Sequence, residues 1–294
     1  MILIFSEISD STTLKVCEFL ESLSISHLVI FRSDNLQFND DSIIVGQDQY
    51  HLNEIKSVWF RRGKFYLNTD FYEEKDLNLY LRENDLIIEE YVNFRLDNLN
   101  KIGSSQGIHV NKLIVLEKAK LYNLLVPKFY LLKNFCMHDR KYISKGVNGN
   151  TYFDFDQHRF ILPVQEIEGE HQSGLSFYQE YIDKKYELRI FYLHGKIWTM
   201  AIFSQNDEQT KTDFRNYNSK KPNRTVPYSL PKNIEESIDK LMRDLLLNTG
   251  SIDMIVTPEN KYVFLEVNPV GQFGMVSLPC NYNLEKHVVD HLIY

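Results

Sequence analysis

The chain has 294 residues, 43% hydrophobic and 25% charged, with a net charge of −7. That length supports a sizeable core and more than one lobe, and the acidic balance argues against general nucleic-acid binding while leaving room for a local basic cleft. No apolar run reaches membrane-spanning length. The opening MILIFSEISDSTT lacks the basic and long apolar regions of a signal peptide. Cys17, Cys136 and Cys280 are scattered without metal spacing, so a cytoplasmic, reducing location is expected.

The first hundred residues read as a small α/β unit. ILIF (2–5) and LVIF (28–31) are short apolar runs separated by a helical stretch with Leu14, Val16, Phe19 and Leu20. Strand–helix–strand implies parallel pairing with a right-handed crossover. SIIV (42–45) and SVWFRRG (57–63) add two strands. From 71 to 94 the pattern becomes helical and charged, and Leu77, Leu81, Ile88 and Tyr91 suggest its buried stripe. The polar stretch 97–111 reads as a linker between lobes.

Beyond it, Leu113, Leu116, Ala119 and Leu121 fit a helix that stops before Val126-Pro127. KFYLL follows as a strand, and KYISKGVNGNTYF (141–153) runs from a strand into a glycine-bearing turn. LSFYQEYI (175–182) and YELRIFYLHGKIWTMAIF (186–203) supply further strands, the latter folded at His194-Gly195. A polar loop spans 204–231, then an amphipathic helix spans 234–250 with Ile238, Leu241, Leu245 and Leu246 inward and Gly250 as its C-terminal cap. SIDMIV (251–256) and YVFLEV (262–267), joined by the turn-rich TPENK, make an antiparallel hairpin, and the chain closes on a helix.

The chemistry concentrates in that hairpin. Side chains two apart on a strand share a face, so Glu266 and Asn268 point the same way. Pairing through a short turn brings Asp253 beside Glu266. Unpaired carboxylates in an apolar sheet cost several kcal/mol each. A divalent cation resolves that cost, and hard oxygen donors suit Mg²⁺, which bridges substrate phosphates. The plain alternative is acids standing in water at two strand ends. Arg61 and Arg62, at the end of an earlier strand, either bind a substrate carboxylate or pair with surface acids. No Ser/His/Asp or Cys/His nucleophile set can be assembled from the sequence.

SIDMIVTPENKYVFLEVNPVGQFG resembles the metal-binding end of ATP-grasp ligases, where D…E-x-N holds the magnesium of Mg-ATP. The resemblance covers about 101–294. VWFRRG, NKLIVLEKAKLYNLLVPKFY, YELRIFY, DFRNY and EVNPVGQFG together are similar to ATP-grasp maturases of ribosomally made peptides, the microviridin-type or graspetide ligases. The ending NPVGQFGMVSLPCNYNLEKHV is similar to the subgroup called grasp-with-spasm maturases.

The resemblance implies an α/β (α+β) fold. An N-terminal pre-ATP-grasp domain (1–100) would precede an ATP-grasp region (101–294) whose antiparallel sheets clasp Mg-ATP. It implies that Lys112 and Lys145 hold phosphates and that backbone groups at Glu180, Tyr181 and Ile182 read adenine. Glu187 would accept from the ribose, Arg189 and Arg215 would steady the transferring phosphoryl group, and Asp253, Glu266 and Asn268 would hold magnesium. The cofactors implied are ATP and Mg²⁺. The partner implied is a ribosomal precursor peptide, a leader plus a Thr/Ser- and Asp/Glu-containing core, with neither nucleic acid nor membrane; a second copy of the chain is a further candidate. The implied reaction phosphorylates Asp or Glu side chains of that peptide and closes esters with Ser/Thr, or amides with Lys. Two other readings stay open: a ligase adding free amino acids to a small molecule or protein tail, and a non-catalytic nucleotide- or peptide-binding module.

Overall fold

The computed structural model describes the backbone at residues 1–31, 34, 36–62, 74–104, 110–145, 152–155, 158–161, 165–171, 175–205 and 222–294. The chain opens with β1 (Ile2–Ser6), α1 (Ser11–Ser22), β2 (His27–Phe31), β3 (Leu36–Phe38), β4 (Ser42–Val45), β5 (Asp48–His51), β6 (Ser57–Phe60), α2 (Lys75–Asp97) and β7 (Asn100–Ile102). A parallel sheet in the order β2-β1-β6-β7 forms its centre. Every residue of β1 is buried, which is why ILIF carries no alternation: a parallel strand covered on both faces is apolar throughout. The polar stretch 97–111 is thus not all linker, because Asn100–Ile102 pairs with β6.

α2 departs from its expected orientation. Its buried residues are Glu89, Val92, Asn93 and Leu96, and Val92 and Leu96 join the core of the parallel sheet. Leu77, Ile88 and Tyr91, expected inside, are exposed. Apolar residues occur all around this helix, so periodicity alone did not fix which stripe meets the sheet.

The rest of the chain runs α3 (Lys112–Leu121), β8 (Phe129–Leu132), β9 (Phe135–Lys145), β10 (Tyr152–Phe155), β11 (His158–Ile161), β12 (Gln165–His171), β13 (Ser176–Glu180), β14 (Tyr186–Leu193), β15 (Lys196–Phe203), β16 (Arg224–Tyr228), α4 (Lys232–Asp244), β17 (Thr249–Val256), β18 (Tyr262–Asn268), α5 (Gly274–Cys280) and α6 (Leu284–Ile293). Two antiparallel sheets dominate, β12-β9-β13-β8 and β16-β15-β14-β17-β18. Part of the expected loop 204–231 is therefore strand. β16 carries Pro227, which an edge position tolerates because no ladder N–H is needed there. Gly250 lies inside β17 rather than capping α4, and Leu246, expected inward, is 87% exposed.

The five-stranded sheet has two different faces. Leu188, Ile190 and Tyr192 of β14 join Ile252, Met254, Phe264 and Val267 in a core under α3 and α4. On the opposite face Phe191 and Leu193 pack with Ile2, Ile4 and Trp59 of the parallel sheet and with α5 and α6. Moving back along that second face, the same alternation presents Arg189 and Glu187. One face is thus apolar at one end and charged at the other.

Candidate active site

The charged end is a ladder across three strands. Arg189 on β14 lies opposite Asp253 on β17, and Asp253 lies opposite Glu266 on β18. Two rungs further, past Ile252 and Val267, Ser251 pairs with Asn268. A bulge makes this possible. Asp253 pairs with Glu266 but Met254 pairs with Phe264, leaving Leu265 as the extra residue. In a regular strand Phe264 and Glu266 would share a face. The bulge lets Phe264 enter the core under α3 while Glu266 turns toward the charged end; bulges commonly re-aim side chains beside active sites.

Each acid has a cation against it. Nη1 of Arg189 donates to both carboxylate oxygens of Asp253, at 2.6 Å each. Nζ of Lys112 donates to Glu266 Oε2 at 2.8 Å, and Nζ of Lys145 stands 3.9 Å from the same oxygen. The two lysines arrive from different elements. Lys112 begins α3, whose N-cap Asn111 accepts from the backbone N–H groups of Leu113 and Ile114. Val115, Leu116 and Ala119 bury the same side of that helix, so the lysine three residues before Val115 is aimed at β18. Lys145 ends β9 and stands over the ring of Phe177, its neighbour across the β9–β13 pair. Arg189 and Asp253 are both 8% exposed.

Glu187 is also buried and oriented. Its Oε1 accepts from Nζ of Lys184 at 2.6 Å and its Oε2 from the hydroxyl of Ser204 at 2.6 Å. Lys184 and Ser204 were not legible beforehand: DKK before the strand reads as solvated charge, and the structure buries Lys184 to 8% exposure.

The segment between the two sheets, at Glu180, Tyr181 and Ile182, has part of its backbone in use. The N–H of Glu180 donates to Lys128 O at 2.8 Å and that of Tyr181 to Lys141 O at 3.0 Å. Those donors are committed to the sheet. Arg215, expected at the phosphoryl group, lies outside the described residues, as does the glycine-bearing turn after Lys145.

A second network fixes the loop beyond β18. Arg61, 3% exposed, donates through Nη1 to the carbonyls of Val270 at 2.7 Å and Gly271 at 3.2 Å, and through Nη2 to Gln272 Oε1 at 3.1 Å. Its carboxylate partner is the buried Asp10, 3.1 Å away, which also accepts from Nε of Arg62 at 2.6 Å. Burial pushes the Asp10 carboxyl up, but both guanidiniums and the Thr13 N–H overcome this and hold it below its ordinary value. Burial drives the Arg61 guanidinium down to about 10. Arg61 therefore braces the loop that follows Asn268, with the buried Asp10 rather than a surface acid as its carboxylate partner, and Arg62 reaches the same Asp10. Gly271 is pressed against β17: a Cβ there would come within 2.4 Å of Ser251 Cβ.

The donor set suits magnesium. Among the described residues no three His, Cys, Asp or Glu side chains converge on a metal-sized site. The register does set two carboxylates opposite each other on adjacent strands, with Asn268 two residues on from Glu266 and its Oδ1 accepting from Val270 N–H at 3.1 Å; all three are hard oxygen donors of the kind Mg²⁺ takes while keeping waters or phosphates. Among the described residues, Nε of Arg189 is buried with no hydrogen-bond partner.

No family model matches the sequence, and no curated protein matches it. Solved structures do. A macrocyclase, MdnC, bound with precursor peptide MdnA from Microcystis aeruginosa is 22% identical, with 99% of each chain covered and a TM-score of 0.79. A RiPP-associated ATP-grasp ligase of Chryseobacterium gregarium, in complex with ADP and a leader and core peptide, is 21% identical over 99% of this chain and 94% of that one, with a TM-score of 0.74. The fold is that of the ATP-grasp ligases. It extends to the VanG D-Ala:D-Ser ligase of Enterococcus faecalis at 12% identity, 99% and 98% coverage and a TM-score of 0.57. Lys145 and Glu180 lie on paired strands of one antiparallel sheet, and the three-strand ladder lies on the other.

Proposed function

We propose that this chain is an ADP-forming ATP-grasp ligase that closes side-chain bonds within a ribosomally made precursor peptide. One observation carries the reading: two carboxylates, an amide, two lysines and an arginine meet on one end of a sheet, on a fold whose neighbours are solved with ADP and with precursor peptides.

In this reading residues 1–100 form the preceding domain and 101–294 the catalytic region. Asp253, Glu266 and Asn268 would hold magnesium, which when bound offsets charge on the phosphates. Lys112 and Lys145 neutralise Glu266 until nucleotide arrives and then turn to the triphosphate; the N-terminus of α3 adds its positive dipole end to the same point. Glu187, oriented by Lys184 and Ser204, accepts from the ribose hydroxyls. Carbonyls at Glu180 and Tyr181 and the N–H of Ile182 read the purine edge. Arg189, held by Asp253, offers its remaining donors to the transferring phosphoryl group, and Arg215 is assigned the same task. A substrate Asp or Glu carboxylate takes the γ-phosphoryl group to give an acylphosphate. A Ser or Thr hydroxyl, or a Lys amine, of the same peptide then displaces phosphate. The setting is cytoplasmic, where ATP and the peptide are both at hand.

The nucleotide product tests the route. Incubation with peptide and Mg-ATP yields ADP and phosphate if an acylphosphate forms. AMP and pyrophosphate would indicate adenylation and overturn the mechanism. The likeness to a D-Ala:D-Ser ligase supports a second reading, joining of free amino acids, which would appear as added mass on the acceptor.

A further inference from the structure

All three side chains assigned to magnesium already accept hydrogen bonds from the protein. Asp253 accepts at both carboxylate oxygens from Nη1 of Arg189. Glu266 Oε2 accepts from Nζ of Lys112 at 2.8 Å and has Nζ of Lys145 at 3.9 Å. Asn268 Oδ1 accepts from the backbone N–H of Val270 at 3.1 Å. The cations on Glu266 come from separate elements, Lys112 from the first turn of α3 and Lys145 from the end of β9 in the four-stranded sheet, whereas Glu266 belongs to the five-stranded sheet. The side chains of Lys112, Lys145 and Glu266 are 21%, 14% and 17% exposed, so salt screens them less than it screens surface pairs. Two carboxylates against three cationic side chains leave this set with one positive charge, and the first turn of α3 adds its positive dipole end.

On the nucleotide-binding reading above, on which this rests, we propose that the set makes metal binding conditional on nucleotide. Lys112 and Lys145 hold Glu266 closed to a bare divalent cation, and the triphosphate opens it by drawing both lysines away. Against a cation arriving alone the set presents net positive charge, and Lys112 would have to leave Glu266 with no anion to receive it. A triphosphate supplies that anion. The lysines then exchange a carboxylate oxygen for phosphate oxygens, Glu266 is released, and the phosphates bring the negative charge that favours a divalent cation. Lysine suits the exchange, being a point charge with three rotatable donors on a flexible stem. Arg189, a rigid fork on Asp253, does not need to move with it. Glu266 is therefore the acid that the nucleotide exposes. The coupling is reciprocal: nucleotide raises metal affinity by the same factor as metal raises nucleotide affinity. In the empty cleft, the same pairing keeps both lysines in place to receive the nucleotide.

Two titrations of the full chain, both without peptide, test this. The first follows free Mn²⁺, a paramagnetic stand-in for Mg²⁺, by electron paramagnetic resonance with no nucleotide present. Lys112→Met removes the 2.8 Å contact to Glu266, and a charge-assisted hydrogen bond corresponds to about ten- to hundredfold in affinity. Lys112→Met should therefore bind Mn²⁺ more tightly than the wild type by about that factor. Lys145→Met should gain less, its ammonium standing 3.9 Å away, and Glu266→Gln/Lys112→Met should lose the gain. Lys118→Met removes the same charge from the same helix, where it pairs with Asp244 instead, and should bind Mn²⁺ like the wild type. The second titration measures metal-free ATP by calorimetry in EDTA. Glu266→Gln releases both lysines, so it should bind metal-free ATP more tightly than the wild type although it removes a metal ligand. Circular dichroism checks that each variant is folded. Equal Mn²⁺ affinity in Lys112→Met and the wild type overturns the proposal, as does an equal gain in Lys118→Met, or unchanged or weaker ATP binding in Glu266→Gln. A chain that binds Mg-ATP but fails either comparison overturns this inference alone; one that binds no ATP even with Mg²⁺ overturns the nucleotide reading as well.

Discussion

Substituting Gly271→Ala should damage catalysis by moving the loop that follows Asn268. The added methyl would stand 2.4 Å from Ser251 Cβ and 2.6 Å from Ser251 Oγ, against ordinary contact distances of ~3.5–4.0 Å. The loop must retreat by about 1 Å to relieve this. Retreat is opposed by Arg61, which holds the Val270 and Gly271 carbonyls at 2.7 and 3.2 Å. Overpacking of this kind costs about 1–3 kcal/mol, and a melting point in a chain of this size falls by roughly 2–4 °C per kcal/mol. A misplacement near 1 Å at a positioning group costs about 100-fold in rate. Peptide-dependent ADP formation and thermal melting measure the two effects. Ser251→Gly removes the atom that is struck, so Ser251→Gly/Gly271→Ala should recover most of the activity. Wild-type turnover in Gly271→Ala, or no rescue in the double variant, would refute the steric reasoning.

Glu266→Gln should leave a folded protein, judged by circular dichroism, with ADP formation reduced to background; near wild-type turnover would remove Glu266 from the metal set. Lys184→Met strands the buried Glu187 carboxylate without its ammonium partner, so a loss of about 3–5 kcal/mol and a raised KM for Mg-ATP are expected, and an unchanged melting point would contradict the pairing. The depressed Asp10 carboxyl contributes stability above its ordinary value of 3.8, and that stability is lost as pH falls through the lower folded-state value. Urea midpoints across the acid range should therefore fall less steeply in Asp10→Asn than in the wild type; equal slopes would place the acid-sensitive group elsewhere.

Much of the architecture was legible because its signals are local. The unbroken apolar run at 2–5, the turn at His194-Gly195 and the TPENK connection each specify strand or turn within a few residues. The pairing of Asp253 with Glu266 followed from the hairpin. What was hidden depends on distant partners. The bulge at Leu265 has no sequence signature, yet it separates Phe264 from Glu266. The orientation of the Glu187–Lys184 pair depends on Ser204, which donates to Glu187 from beyond the neighbouring strand. Arg61 read equally well as a substrate ligand until Asp10 and the Val270–Gln272 loop were seen around it. α2 misled for the opposite reason, since too many apolar positions gave periodicity more than one solution.

The central claim is that the chain forms bonds inside a peptide at the expense of ATP. The most direct measurement is the intact mass of a Ser/Thr- and Asp/Glu-rich peptide encoded beside this chain, before and after incubation with the protein and Mg-ATP. Loss of one water per bond is expected, restored by mild base where the bond is an ester and retained where it is an amide. A peptide of unchanged mass with no ADP formed, or one heavier by an amino acid, would contradict it.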